Sequence, residues 1–313
     1  MNPPADAWMP RRESVSEWLD VRGLRLHVRR WPQPGAPRLF LLHGWMDVSA
    51  SFQFMVDALA GEWDIIAPDL RGFGESAWSA DGYLFAHYLA DLDALLEAYS
   101  PDELACLVGH SLGGNLVCLY AGVRPTRVRA LASLDAFGLR EARPDEAPGR
   151  LEKWLQQLRT PERFRSYPDF PALARQLRLE NPRLSPQRAA FLARHLGEED
   201  GLGAVIRAAD PAHKHVSPAL YRFSEVQAAW RRISAPVLVV LADDAALLER
   251  LGLTREEVMM RLASLRNARI ETLPDCGHNL HLEQAEALAR ILEEFFLGLP
   301  RGTVHSPYDP AQR

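Results

Sequence analysis

The chain has 313 residues, 47% of them hydrophobic and 25% charged, the balance of a globular protein long enough to enclose a large core. Its formal net charge of -5 leaves no basic excess to offset a phosphate backbone or to hold the chain on an anionic membrane, which argues against nucleic acid as a partner. No apolar run approaches the ~20 residues that span a bilayer, Met1 to Arg12 has no apolar signal region, and Cys106, Cys118 and Cys276 are spaced as buried thiols rather than as a disulfide framework, so a cytoplasmic protein is expected.

Glu17 to Trp31 alternates apolar and polar residues around Gly23, the pattern of an antiparallel hairpin. Arg38–Leu42 and Trp63–Pro68 are short apolar runs ending at His43-Gly44 and Asp69, as strands covered on both faces should be. Helical patterns occupy Phe52–Ala60 and Tyr83–Tyr99, the latter with Leu89, Leu92, Leu95 and Leu96 at three- and four-residue spacing. A strand at Leu104–Val108, a helix at Gly113–Val123 and a strand at Val128–Leu134 follow. Strands at Pro236–Leu241 and Ala268–Leu273 and a helix at Leu282–Leu297 close the chain. Strands alternating with helices predict an α/β fold with a doubly wound, mostly parallel sheet.

Residues 138–232 break this rhythm. They read as helical, rich in Arg, Pro and Leu, and without a strand, which predicts a helical lid inserted into a core made of residues 1–137 and 233–299. Its aromatic residues Trp154, Phe164, Tyr167, Phe170, Tyr221, Phe223 and Trp230 are candidates for lining an apolar pocket. The polar residues 300–313 are expected to form a flexible tail.

Chemistry concentrates at Gly109-His110-Ser111-Leu112-Gly113, followed by Gly114, where an apolar strand runs into a helix. On so sharp a turn the serine hydroxyl stands exposed, and small neighbours are required because the backbone passes close by. The Leu112 amide at the helix start is a candidate oxyanion donor, helped by the helix dipole. The Trp45 amide, in the His43-Gly44-Trp45 loop, is the second. The Trp45 and His110 side chains are candidates for the substrate pocket, and the His43 imidazole is assigned a structural hydrogen bond. Of the ten histidines, His278 lies in a Gly-containing loop between the last strand and last helix, at the carboxyl edge where sites in parallel sheets gather. It is the candidate general base. His281 is its rival, better suited to capping or packing.

His43-Gly-Trp45, Asp69-Leu-Arg-Gly-Phe-Gly-Glu-Ser76, Gly109-His-Ser-Leu-Gly-Gly114 and Cys276-Gly-His278 together resemble the α/β-hydrolase superfamily, in its usual order and over nearly the whole chain. His43 to Asp47 with Ser51-Phe52, and Asp210 to Tyr221, are similar to its serine-hydrolase-like group, related to the fly protein kraken. The resemblance implies a hydrolase without cofactor. It places the acid a few residues past the strand that follows the lid, at a position that falls on Ala245 here. Asp244 serves if that loop is one residue shorter, and Asp135, at the end of Val128–Leu134, is the position from which some relatives supply the acid instead. Both stay open, and both keep the chain order Ser, Asp, His.

Asp69 to Ser76 follows no dinucleotide or phosphate-loop spacing and is expected to buttress the site. His213 with His215, and His278 with His281, lack the further ligands of a zinc site, so no metal is expected. Two functions compete: hydrolysis of a small-molecule ester or related acyl substrate through an acyl-enzyme, and a ligand- or partner-binding protein with little turnover. A serine rather than an aspartate at position 111 argues against dehalogenase and epoxide hydrolase chemistry.

Overall fold

In the computed structural model, which describes residues 8–160 and 162–299, β1 (Val15–Val21) and β2 (Leu24–Trp31) pair antiparallel. Their turn is Arg22-Gly23, at φ of 51° and 82°, the left-handed conformation that matches the twist of the joined strands. β3 (Arg38–Leu42), α1 (Gln53–Ala58), β4 (Asp64–Pro68), α2 (Phe85–Tyr99), β5 (Ala105–His110), α3 (Leu112–Val123) and β6 (Val128–Leu134) follow. After β6 come α4 (Ala147–Arg159), α5 (Phe170–Glu180), α6 (Pro186–Leu196), β7 (Gly197–Glu199), β8 (Val205–Arg207) and α7 (Phe223–Trp230). The chain ends through β9 (Val237–Ala242), α8 (Ala246–Leu251), α9 (Arg255–Leu262), β10 (Ala268–Leu273), α10 (Leu280–Glu283) and α11 (Ala285–Leu297).

Eight strands form one sheet in the order β1-β2-β4-β3-β5-β6-β9-β10. From β4 to β10 every pairing is parallel, and β1 and β2 add an antiparallel edge. The central strands are buried on both faces, which is why they read as continuous apolar runs. Alternation along β3 divides the core: Leu39 and Leu41 pack with Phe52, Leu288 and Phe295 on one face, Phe40 and Leu42 with Leu92, Leu96 and Leu116 on the other.

Two expectations need correction. The segment after β6 is not free of strands, since β7 and β8 pair as a small antiparallel ribbon. At three residues each, largely polar or exposed, they offered no apolar run to read. The closing helix is divided at Gln284 (φ -125°, ψ 44°), so His281 sits on the separate turn α10. Residues 300–313 lie outside the described residues.

The loop after β4 fastens several parts together. Buried Arg71 holds Asp91 of α2 through Nε and Nη2. His213 is stacked between Phe73 and Tyr83 at centroid distances of 3.8 and 3.6 Å, and the Tyr83 hydroxyl donates to Asp210 at 2.7 Å. These contacts pin the segment after β6 to the sheet. The Asp69 carboxylate accepts from the Ser49 amide at 2.7 Å, the Glu75 amide at 3.0 Å and His27 Nδ1 at 2.8 Å, which ties the loop to β2 and to the turn before α1.

Candidate active site

Strand β5 ends at His110 and α3 begins at Leu112, so Ser111 must reverse the chain by itself. It does so at φ 52°, ψ -110°, a strained conformation for a residue with a Cβ. Glycine is required around it: a Cβ on Gly109 would stand 2.2 Å from the Gly113 carbonyl oxygen, and one on Gly113 would stand 2.1 Å from that of Leu42. The turn is held by the Ser111 amide on the Leu134 carbonyl at 2.9 Å and the Gly113 amide on the His43 carbonyl at 3.1 Å.

His278 lies in the loop between β10 and α10, with Nε2 2.9 Å from Ser111 Oγ and Nδ1 2.7 Å from Asp135 Oδ2. A proton on the nitrogen that faces the carboxylate leaves the Nε2 lone pair for the serine hydroxyl. Asp135 is buried at the end of β6, itself at positive φ (47°), and its Oδ1 accepts the Ala242 amide at 3.0 Å. That second bond fixes which oxygen meets the imidazole. Asp244 is turned away. It pairs with Arg183 at 3.0 Å and accepts the Ala246 amide at 2.9 Å, and these two bonds, the amide first, hold its carboxyl below the ordinary value. Of the two carboxylates considered, only Asp135 reaches the histidine, because β6 is the immediate neighbour of β5 and the β9 end faces Arg183.

Leu112 opens α3, so its amide has no intrahelical acceptor, and the His43-Gly44-Trp45 loop adjoins it. The Trp45 side chain is exposed and lines the cavity above Ser111. His43 makes the structural bonds expected of it: Nδ1 donates to the Gly44 carbonyl at 2.7 Å and Nε2 accepts the Leu70 amide at 2.8 Å. His110 also borders the cavity, and its Nε2 donates to the His278 carbonyl at 2.8 Å, tying the serine turn to the histidine loop. Burial, then the neighbouring His281 and His278, push the His110 imidazole well below its ordinary pKa and keep it neutral.

His281 does not reach Ser111. It is buried, with Nε2 3.1 Å from Ser51 Oγ and 3.4 Å from Asp47 Oδ2. Burial raises the Asp47 carboxyl, but the His281 hydrogen bond and charge, with His43 and the Val48 amide, together hold it below its ordinary value. Asp47, His110 and His281 bring one ligand atom each within 4.8 Å of one another, the group among the described residues with metal-ligand spacing. His281 Nε2 and Asp47 are engaged with each other and with Ser51, while the Nδ1 atoms of His110 and His281 are buried without a hydrogen-bond partner.

The cavity measures about 800 Å³ and is bordered by Ser111, His278 and Asp135 below and by the segment after β6 above. Of the aromatic candidates, Phe164 and Tyr167 line it. Trp230 is packed in the core against Phe223, Phe170 rests on the other core face, and Tyr221 lies over Gly138. Sequence reasoning missed Asn115, one turn into α3, whose Nδ2 donates to the Ser111 carbonyl at 3.1 Å and whose Oδ1 accepts the Gly138 amide at 2.8 Å. Its place four residues after the serine, on the same helix face, was the available signal.

A family model for the alpha/beta hydrolase fold matches residues 37–285. A serine hydrolase-like protein of Danio rerio is 27% identical over 297 residues, 89% of this chain and 85% of that one. A 3-hydroxybutyrate-oligomer hydrolase of Cupriavidus necator is 27% identical over 288 residues, 88% of this chain and 93% of that one. Among solved structures, a thioesterase domain from the curacin biosynthetic pathway superposes with a TM-score of 0.80 at 24% identity, covering 90% of this chain and 99% of that one, which shows a shared fold.

Proposed function

The chain belongs to the α/β-hydrolase fold family, and from that premise we propose that it is a serine hydrolase acting on a carboxylic ester or related acyl compound. The observation that carries the reading is a single imidazole, His278, bonded to Ser111 Oγ on one side and to Asp135 on the other. Ser111 Oγ attacks the substrate carbonyl and His278 Nε2 takes its proton, while Asp135 holds the resulting imidazolium. The oxyanion is stabilised by the Leu112 and Trp45 amides. Collapse breaks the acyl bond, the leaving group takes the proton from His278, and a water deprotonated by the same nitrogen releases the acid from Ser111.

Residues 138–232 act as a lid on a core of residues 1–137 and 233–299, a reading supported by the leucines of α5 and α6 that wall the cavity above Ser111. The relative named for 3-hydroxybutyrate oligomers favours oxygen esters as the first substrates to try. Three unpaired, buried cysteines support a cytoplasmic location, and among the described residues no helix is long and apolar enough to cross a membrane. The alternative, a binding protein with little turnover, drew on the missing acid at position 245 and loses that motive where Asp135 bonds His278.

A fluorophosphonate probe tests the proposal directly. Rapid labelling of the wild type, abolished in Ser111→Ala and slowed at least a hundredfold in His278→Ala, is expected. Equal labelling of wild type and Ser111→Ala overturns it.

A further inference from the structure

The cavity over Ser111 has two chemically distinct regions. Leu177, Leu184, Leu192, Leu196 and Leu282 make an apolar wall from α5, the following turn, α6 and α10. Around the rest stand four cations: Arg165, Arg207, Lys214 and Arg250. Three carboxylates border the same space and each is engaged. Asp135 is on His278, Asp47 is on Ser51 and His281, and Glu180 pairs with Arg207 at 2.6 Å. Asp47 and Asp135 lie deep, with side chains only 14% and 5% exposed, so their charge sits at the floor.

Arg165, Lys214 and Arg250 are exposed, and among the described residues none has a carboxylate within ion-pair distance. Lys214 donates to the Arg163 carbonyl and lies over the Phe164 ring at 4.6 Å, and Arg165 lies over Tyr167 at 5.4 Å, so both are aimed by their neighbours rather than free to sweep solvent. Arg165 and Lys214 come from the segment after β6, while Arg250 comes from α8, after β9. A chain whose formal net charge is -5 therefore gathers three uncompensated cations around one opening. Such a rim favours anions by raising their local concentration and by pairing with them once bound.

We infer that the substrate joins an apolar acyl chain, held on the leucine wall, to an anionic group, carboxylate or phosphate, that is met by Arg165, Lys214 and Arg250. This rests on the serine-hydrolase reading above. The anion lies either at the far end of the acyl chain or on the leaving group, and two substrate pairs separate these sources. One pair is p-nitrophenyl octanoate against mono-p-nitrophenyl suberate. The other is the octanoyl thioester of N-acetylcysteamine against that of coenzyme A.

At low ionic strength, at least one anionic member is expected to exceed its neutral partner in kcat/KM by about tenfold. That ratio should shrink in 0.5 M NaCl and in Arg165→Glu, Lys214→Glu and Arg250→Glu. It should persist in Arg266→Glu, an equal change of net charge just ahead of β10, at the edge of the sheet away from the cavity. Hydrolysis of the neutral members with no anionic preference, or a preference that the three rim variants leave intact, overturns the inference alone. Inertness toward all four substrates overturns the hydrolase reading and this inference with it.

Discussion

Replacing Asp135 by asparagine is the sharpest perturbation this site offers. The carboxylate makes two bonds, Oδ1 to the Ala242 amide at 3.0 Å and Oδ2 to His278 Nδ1 at 2.7 Å. Asparagine keeps the first with its carbonyl oxygen, so its amide nitrogen must face Nδ1. A donor there needs a lone pair on Nδ1, which moves the imidazole proton to Nε2, 2.9 Å from Ser111 Oγ. The base then presents a proton where it must accept one. For a triad the wrong tautomer costs about 10⁴ in rate, roughly 5 kcal/mol of transition-state stabilisation. The fold should hardly notice, because the amide is isosteric and the Ala242 bond survives. Asp244→Asn removes only a part-exposed pair with Arg183, worth about 0.2–1 kcal/mol, and should leave turnover within about twofold of wild type. The assay is kcat/KM on p-nitrophenyl butyrate at pH 7.5, with Tm measured on the same samples. An Asp135→Asn enzyme that keeps more than about a tenth of wild-type activity, or a steep loss in Asp244→Asn instead, refutes the assignment.

Gly113→Ala places a methyl group 2.1 Å from the Leu42 carbonyl oxygen, a backbone atom that cannot swing aside. A Tm lowered by about 2–5 °C is expected, with reduced soluble activity, corresponding to about 1–3 kcal/mol of overpacking. Asp91→Ala leaves the Arg71 guanidinium buried without its partner and should lower the unfolding free energy in urea by about 3–5 kcal/mol. Burial pushes His213 down to about 4, against about 6.5 in an unfolded chain. Between those values the unfolded state takes up a proton that the folded state refuses, so stability falls as pH drops from 6.5 to 4, by at most about 3 kcal/mol from this group. His213→Leu should flatten that part of the Tm-against-pH curve, and an unchanged slope would show that the stacked imidazole is not its source.

The parallel strands were legible because burial on both faces turns them into short apolar runs, and the serine turn because its glycines sit where a strand meets a helix. His278 was legible from its place at a strand's carboxyl edge. Which aspartate bonds it was not, since the choice between Asp135 and Asp244 depends on which strand lies beside β5 and on where Arg183 draws Asp244. Such facts belong to tertiary packing and leave no local pattern. Helix α9 did leave one, the capping box of Thr254 and Glu257, and a reading attentive to caps finds it. The β7–β8 ribbon left none, because three-residue strands are too short for periodicity to register.

His278 follows Ser111 by 167 residues and Asp135 by 143, and its loop lies just beyond β10, which pairs with β9 in the sheet. During synthesis Ser111 leaves the ribosome long before His278 does. At ~5–20 residues per second the interval is on the order of ten seconds or more. A nascent chain ending before that loop carries Ser111 without the imidazole that the proposed mechanism requires. On the proposed reading, activity reports that the His278 loop has reached its place beside Ser111 and Asp135, and a chain cut between Asp135 and that loop keeps the serine and the carboxylate without the imidazole that joins them.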